Sequence, residues 1–273
     1  MAATTVESVR PAFAVRRVVV ALDAQCDHVA AIETACEFAG RWHCTVAGIF
    51  VVGSDLVNLG GLPGIRQICL ASGGALSGTD LEGDIAAIER RARRVLADAA
   101  RRIGAETSFA VARGGIDETT GLSADDLLIV EATVRPFAGG FALESRWRRV
   151  AEAARHPVLL RRRRSARPGP VAGFYDGSPA AERALAAALH LAEERDQPLL
   201  LVLAAELDEG AEAAIAPALE GRRPPARMIR AAAGDAGWGR VAAGPKPALL
   251  VVPAEMPTAR WAGVPDADVL LLR

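Results

Sequence analysis

Short, continuous apolar runs alternate with stretches of helical periodicity along most of the chain. In the first half, Val18–Leu22, Thr45–Val52, Thr107–Ala112, Asp126–Glu131 and Pro157–Arg162 read as strands. An apolar run of this length, bounded by polar or turn residues, is what a strand buried on both faces requires. Between them, Val29, Ile32, Cys36 and Phe38-Ala39 recur at helical spacing through Arg41, and Asp80–Ile103 and Leu143–Arg155 read as further helices. Gly53–Gly78, rich in Gly, Ser and Pro, reads as a long loop, and Gly114–Asp125 leaves room only for a stunted helix. The second half repeats the plan. Its strands are Val171–Tyr175, Leu199–Ala204, Ala226–Ala231, Ala248–Val252 and Val269–Leu272, and its helices Pro179–Arg195 and Glu209–Leu219. Strands alternating with helices predict an α/β protein with parallel sheets covered on both faces.

The two halves are also alike residue by residue. Laid over each other at an offset of 153 residues (176 minus 23), Asp23 falls on Asp176, Ala31 on Ala184, Ala35 on Ala188 and Ala39 on Ala192. A repeat of that size means two copies of one domain. The predicted division is a leader over 1–15, a first domain over 16–163, a basic linker over 164–169 and a second domain over 170–273. A length of 273 residues suits two domains, each with its own core.

Composition narrows the picture little further. A hydrophobic content of 51% with only 4% aromatics predicts a core of Ala, Val and Leu. Net charge is −1; residues 1–165 carry 21 basic and 19 acidic groups, and residues 166–273 carry 11 and 14. No field of this size draws the protein to nucleic acid or to a membrane surface. Arg161–Arg164 is a basic run without interleaved aromatics, and reads as charge guarding an edge strand rather than as a nucleic-acid site. Cys26, Cys36, Cys44 and Cys69 form no C-x-x-C pair and join no histidines at zinc spacing. They read as reduced thiols, hence a cytoplasmic location is expected. Neither a signal peptide nor an apolar run of membrane-spanning length is legible.

The strand followed by Asp176-Gly177-Ser178-Pro179 and an alanine-rich helix, together with Ala124–Val130 and the closing His156-Pro157-Val158-Leu159-Leu160-Arg161, resembles the universal stress protein family in its tandem, two-domain form. The resemblance covers residues 16–273. It implies two Rossmann-like (adenine nucleotide alpha hydrolase-like) α/β domains. Each would be a five-stranded parallel sheet in the order 3-2-1-4-5 with helices on both faces, the second shortened near the C-terminus. It also implies an intramolecular pseudo-dimer joined through the fifth strands, with a homodimer and an unidentified protein as further candidate partners. Many members bind ATP at the carboxyl ends of strands 1 and 4, using a first-strand aspartate, second-strand backbone atoms and a glycine loop, G-x-x-G-x9-G-[S/T], around the phosphates.

Carried onto this chain, the first-strand and second-strand positions are Asp23 and Val51, and in the second half Asp176 and Ala204. The glycine positions fall on Glu131, Val134 and Glu144, and only Ser145 matches. Glutamates there repel phosphates, and side chains block the backbone approach. In the second half only 14 residues separate Pro253 from Asp268, so the loop and most of the fourth helix are missing. The resemblance therefore implies a regulatory or protective stress-response protein with degenerate nucleotide sites and no required cofactor. The alternative is a sensor of ATP, AMP or another small molecule, binding in the first domain by a non-standard route. Its candidate contacts are Asp23, Val51, Ser145, and Gly139, Gly140 and Arg146 as a displaced anion site, with Asp176, Gly177 and Ser178 in the second half. Asp23 and Asp176 also suit plain helix caps. Cys26 lies near a helix start, where a thiol pKa can fall, but most such cysteines are inert and Cys26 reads as one of them. No triad, metal cluster or other catalytic constellation is present, and no enzyme activity is expected.

Overall fold

Strand β1 (Arg17–Leu22) is buried over all but its first residue, as its run of apolar side chains requires. The computed structural model describes residues 15–24, 26–52, 67–68, 75–76, 78–113, 121–132, 134–137, 140–143, 150, 152–162, 169–231, 246–257, 261 and 267–273. They divide into two compact units, Val15–Glu131 and Ala132–Arg273.

In the first unit β1 lies between β2 (Thr45–Val52) and β6 (Asp126–Glu131), both parallel to it. Strand β5 (Thr107–Arg113) adds in parallel beyond β2. The sheet order β5-β2-β1-β6 is the expected 3-2-1-4. Helix α1 (His28–Trp42) buries Ala31, Ile32, Ala35, Cys36, Phe38 and Ala39. Helix α2 (Gly78–Arg102) packs beside it, burying Ala92, Leu96, Ala99 and Ala100. Its six arginines from Arg90 to Arg102 all lie on the exposed face, as the periodicity requires. Between β2 and α2, β3 (Gln67–Ile68) and β4 (Ala75–Leu76) form a two-residue antiparallel ladder.

The second unit opens with a hairpin, β7 (Val134–Phe137) and β8 (Gly140–Leu143), paired from Val134↔Leu143 to Phe137↔Gly140. This corrects the expected helix at Leu143–Arg155: Leu143 closes a strand, and the described helical positions are Val150, Glu152 and Ala153. The sheet of this unit contains β10 (Val171–Tyr175), β11 (Leu199–Leu203), β12 (Ala226–Arg230), β13 (Leu249–Pro253) and β14 (Asp268–Leu272), in the order β12-β11-β10-β13-β14. That is the full 3-2-1-4-5 order, with every pairing parallel. Strands β10, β11 and β13 are buried at all five residues. Helices α3 (Pro179–Glu194) and α4 (Glu209–Leu219) follow β10 and β11. Ala184, Ala188 and Ala192, the repeat equivalents of Ala31, Ala35 and Ala39, are likewise buried.

Strand β9 (Val158–Arg161) pairs antiparallel with β14, from Val269↔Leu160 to Leu271↔Val158. This pairing explains why the compact units divide after Glu131 rather than at the expected linker. It also revises the role given to Arg161–Arg164 as charge on an open edge. Arg162 is buried, and its backbone N–H donates to Asp268 Oδ1 at 2.8 Å. Residues 1–14 of the leader, most of Gly53–Gly78, residues 114–120 and residues 164–168 of the linker lie outside the described residues.

At the amino end of β6, Asp126 is buried and closes a long-range clamp. Arg17 donates to it through Nε at 3.1 Å and Nη2 at 2.5 Å, and the Ser123 N–H donates at 2.7 Å. Arg17 Nη2 also donates to the Gly121 carbonyl. Burial alone would raise the Asp126 carboxyl, but Arg17 and Ser123 outweigh it and hold the group below its ordinary value of 3.8. A folded-state pKa below the unfolded one stabilises in full above that ordinary value, and the contribution is lost as pH falls through the folded pKa. Asp126→Asn is expected to cost about 2–3 kcal/mol at neutral pH, read by urea denaturation. The variant should also lose less stability than the wild type on acidification below pH 3.8. Equal stability at neutral pH would show that the clamp contributes nothing.

Candidate functional site

Parallel strands end together, so the residues just past their carboxyl ends converge. In the first unit the register Leu22↔Phe50 and Ala21↔Val130 brings Asp23, Val51 and Glu131 to one end of the sheet. Val51 is buried, Asp23 half-buried and Glu131 only 3% exposed. The Asp23 carbonyl accepts from His28 Nε2 at 2.6 Å, which sets the tautomer with the proton on that nitrogen. The His28 ring lies 6.1 Å from that of Phe50.

Helix α1 begins at this same place, and the N–H groups of Asp27, His28, Ala30 and Ala31 are all engaged. Asp27 caps it, Oδ1 accepting from the Ala30 N–H at 3.3 Å. The His28 N–H donates to the Cys26 carbonyl and the Ala31 N–H to the Asp27 carbonyl. The N–H of Asp27 itself donates to Glu131 Oε2 at 2.7 Å. The residue standing at the first glycine position of the phosphate loop thus sends its carboxylate to a helix start. Val134, at the second glycine position, lies in strand β7.

Cys26 exchanges 3.4 Å contacts with the backbone of Asp23, as acceptor from its N–H and donor to its carbonyl. The fall in thiol pKa that a helix start can cause does not occur here. Burial pushes the thiol up to about 12; the Asp23 N–H donating to the sulfur opposes this, and the Asp23 and Glu131 charges add to it. Cys36 and Cys44 are pushed up by burial as well. Sequence reasoning missed the Glu131–Asp27 bond, whose partners are 104 residues apart. The available signal was a glutamate ending an otherwise apolar strand.

In the second unit the sequence Asp176-Gly177-Ser178 makes a cap. Gly177 takes φ +81°, a left-handed conformation that favours glycine. Asp176 Oδ1 accepts from the Ser178 N–H at 3.0 Å, and Ser178 Oγ accepts from the Ala181 N–H at 3.1 Å. Pro179 occupies the first turn, where its missing N–H is no loss. An open cleft of about 460 Å³ adjoins this cap, between Asp176, Arg183, Phe174, Pro253, Glu255 and Met256. Arg183 Nη1 donates back to the Pro179 carbonyl. Nearby, the buried Tyr175 phenol is raised by desolvation and then by Glu182, Asp176 and Asp208, which marks the surroundings as negative.

Of the candidate residues, Asp23 and Val51 converge with Glu131, and Asp176, Gly177 and Ser178 form the second cap. Gly140 begins β8 rather than lying in a loop that presents backbone donors. Gly139, Ser145 and Arg146 lie outside the described residues. Among the described residues no group of three or more His, Cys, Asp or Glu could hold a metal ion.

No protein-family model matches the chain, and no curated relative does. Solved structures do. A universal stress protein from Archaeoglobus fulgidus DSM 4304 matches 93% of this chain and 98% of its own, with TM-score 0.62 and 11% identity. A putative universal stress protein from Pseudomonas aeruginosa UCBPP-PA14 matches over 96% and 94%, with TM-score 0.62 and 16% identity. A functionally unknown protein from Pseudomonas aeruginosa PAO1 matches over 96% and 93%, with TM-score 0.61 and 17% identity. The chain therefore carries the fold of these universal stress protein structures along nearly the whole of its length.

Proposed function

We propose that the protein is a universal stress protein-like regulatory or protective factor of the stress response, with two degenerate nucleotide sites. The observation that carries this reading is the family's sheet order beside a first-strand end where the Asp27 and Ala30 N–H groups of the helix start are bound by the protein's own carboxylates. A phosphate approaching α1 meets Glu131, and one approaching α3 meets Asp176 and Glu255. Like charge and missing donors both disfavour it.

The role is then exercised through a protein partner, in the cytoplasm, with no required cofactor and no catalysis. The antiparallel β9–β14 pair supports joining of the two repeats through their fifth strands as a pseudo-dimer, and a homodimer remains a further candidate assembly. No helix among the described residues is long and apolar enough to cross a membrane.

Thermal-shift titration with ATP, ADP and AMP, with and without Mg²⁺, is expected to leave the unfolding midpoint in place. A ligand at 100 times its dissociation constant would stabilise the fold by about 2.7 kcal/mol, a readable shift. Micromolar ATP affinity would overturn the degenerate reading and favour the sensor.

Thiol chemistry at Cys26 is a separate test. With its pKa pushed up to about 12, the thiolate fraction at pH 8 is on the order of one in ten thousand. Alkylation by iodoacetamide at that pH should be far slower than for a free cysteine, with mass spectrometry locating the adduct. Rapid modification at Cys26 would reopen a redox role.

A further inference from the structure

The geometry points to Glu131 as the selectivity-determining residue at the carboxyl end of the first sheet: its carboxylate is a resident anion that holds the Asp27 N–H at the α1 start and refuses any other. This rests on the degenerate reading above and names the residue responsible in the first repeat.

A helix start exposes amides that attract negative charge, and local sequence normally supplies it. In a capping box, the third helical residue is a Glu or Gln that reaches back to the N–H of the cap residue. In α1 that third residue is Ala30, and the first turn contains no acidic side chain. The Asp27 N–H instead receives Glu131 from the end of β6 at 2.7 Å. Glu131 is 3% exposed, so its charge is stable there only with such a donor.

The second repeat answers the same need differently. The N–H of its cap residue, Ser178, receives Asp176 from two residues upstream, and Glu182 lies in the first turn. Placed on the 153-residue repeat, α3 begins at the position of Cys26, whereas α1 begins two residues later, at His28. Asp23 therefore stands four residues before its cap, too far for the short turn that Asp176 makes. In both repeats a carboxylate of the protein occupies the amide of the cap residue. In the first, it comes from the carboxyl end of the neighbouring strand, β6.

The test uses the full chain and inorganic phosphate, titrated against chloride at constant ionic strength while the thermal midpoint is followed. Wild type should not respond. Glu131→Gly should unfold at lower temperature and recover with phosphate, saturably, because the vacated Asp27 N–H donates to the added anion. Asp126→Asn, which also removes a buried carboxylate but at the opposite end of β6, should lose stability without recovering. If phosphate stabilises Glu131→Gly no more than Asp126→Asn, or if Glu131→Gly is as stable as wild type, the inference fails. Should the glycine variant be recovered unfolded, Glu131→Ala in the same titration decides by the same criterion. Binding of ATP by the wild type would instead sink the degenerate reading, so the two failures are told apart.

Discussion

A parallel strand buried on both faces has no polar outlet except at its ends. Its backbone is satisfied by its neighbours, and its side chains must be apolar above and below. Strands β1, β6, β10, β11 and β13 obey this over almost every residue. The charged residues of β6 therefore sit at its two tips, and each tip anchors something distant. At the amino tip Asp126 ties down Arg17 and the turn at Ser123. At the carboxyl tip Glu131 ties down the start of α1. The first fixes where the sheet begins. The second occupies the place where this class of sheet offers its ligand site.

The same constraint makes most of the fold legible in the amino-acid sequence alone. Runs such as Thr45–Val52 and Asp126–Glu131 can hardly be anything but buried strands, and they are bounded as expected. The alanines spaced along α1 and α3 mark the faces that pack closely on the sheet. Pairing across distance is what the sequence does not carry. The residues after Leu143 have helical spacing and draw it into a helix, yet its partner is Val134, and that backbone pairing makes it a strand. Strand β9 is legible as the fifth strand of the first repeat. Its pairing with β14 places it in the second compact unit.

The site is legible as a location and less so as chemistry. Asp23, Val51 and Glu131 are each marked by their strand positions, and they do converge. For Asp176 the sequence supports both ligand contact and capping; the bond from the Ser178 N–H places its carboxylate in the cap. For Cys26, proximity to a helix start argues for a more acidic thiol. Burial wins because the thiol is removed from water and faces the Asp23 and Glu131 charges, while the Asp27, His28 and Ala30 N–H groups are engaged elsewhere.

Glu131 carries the physical argument furthest. A glutamate in place of a phosphate-loop glycine could be a mere loss, a bulky charged residue left where a ligand once fitted. A buried carboxylate without a donor would be strongly destabilising, and such a loss would then need compensation elsewhere. Here the compensation is the same amide that makes a helix start attractive to anions. Glu131 and the helix start satisfy one another, so this end of the sheet is complete without an added anion. An external phosphate would have to displace a carboxylate already held by its own chain at a very high effective concentration. That competition favours the resident group even where the backbone geometry would otherwise suit an anion.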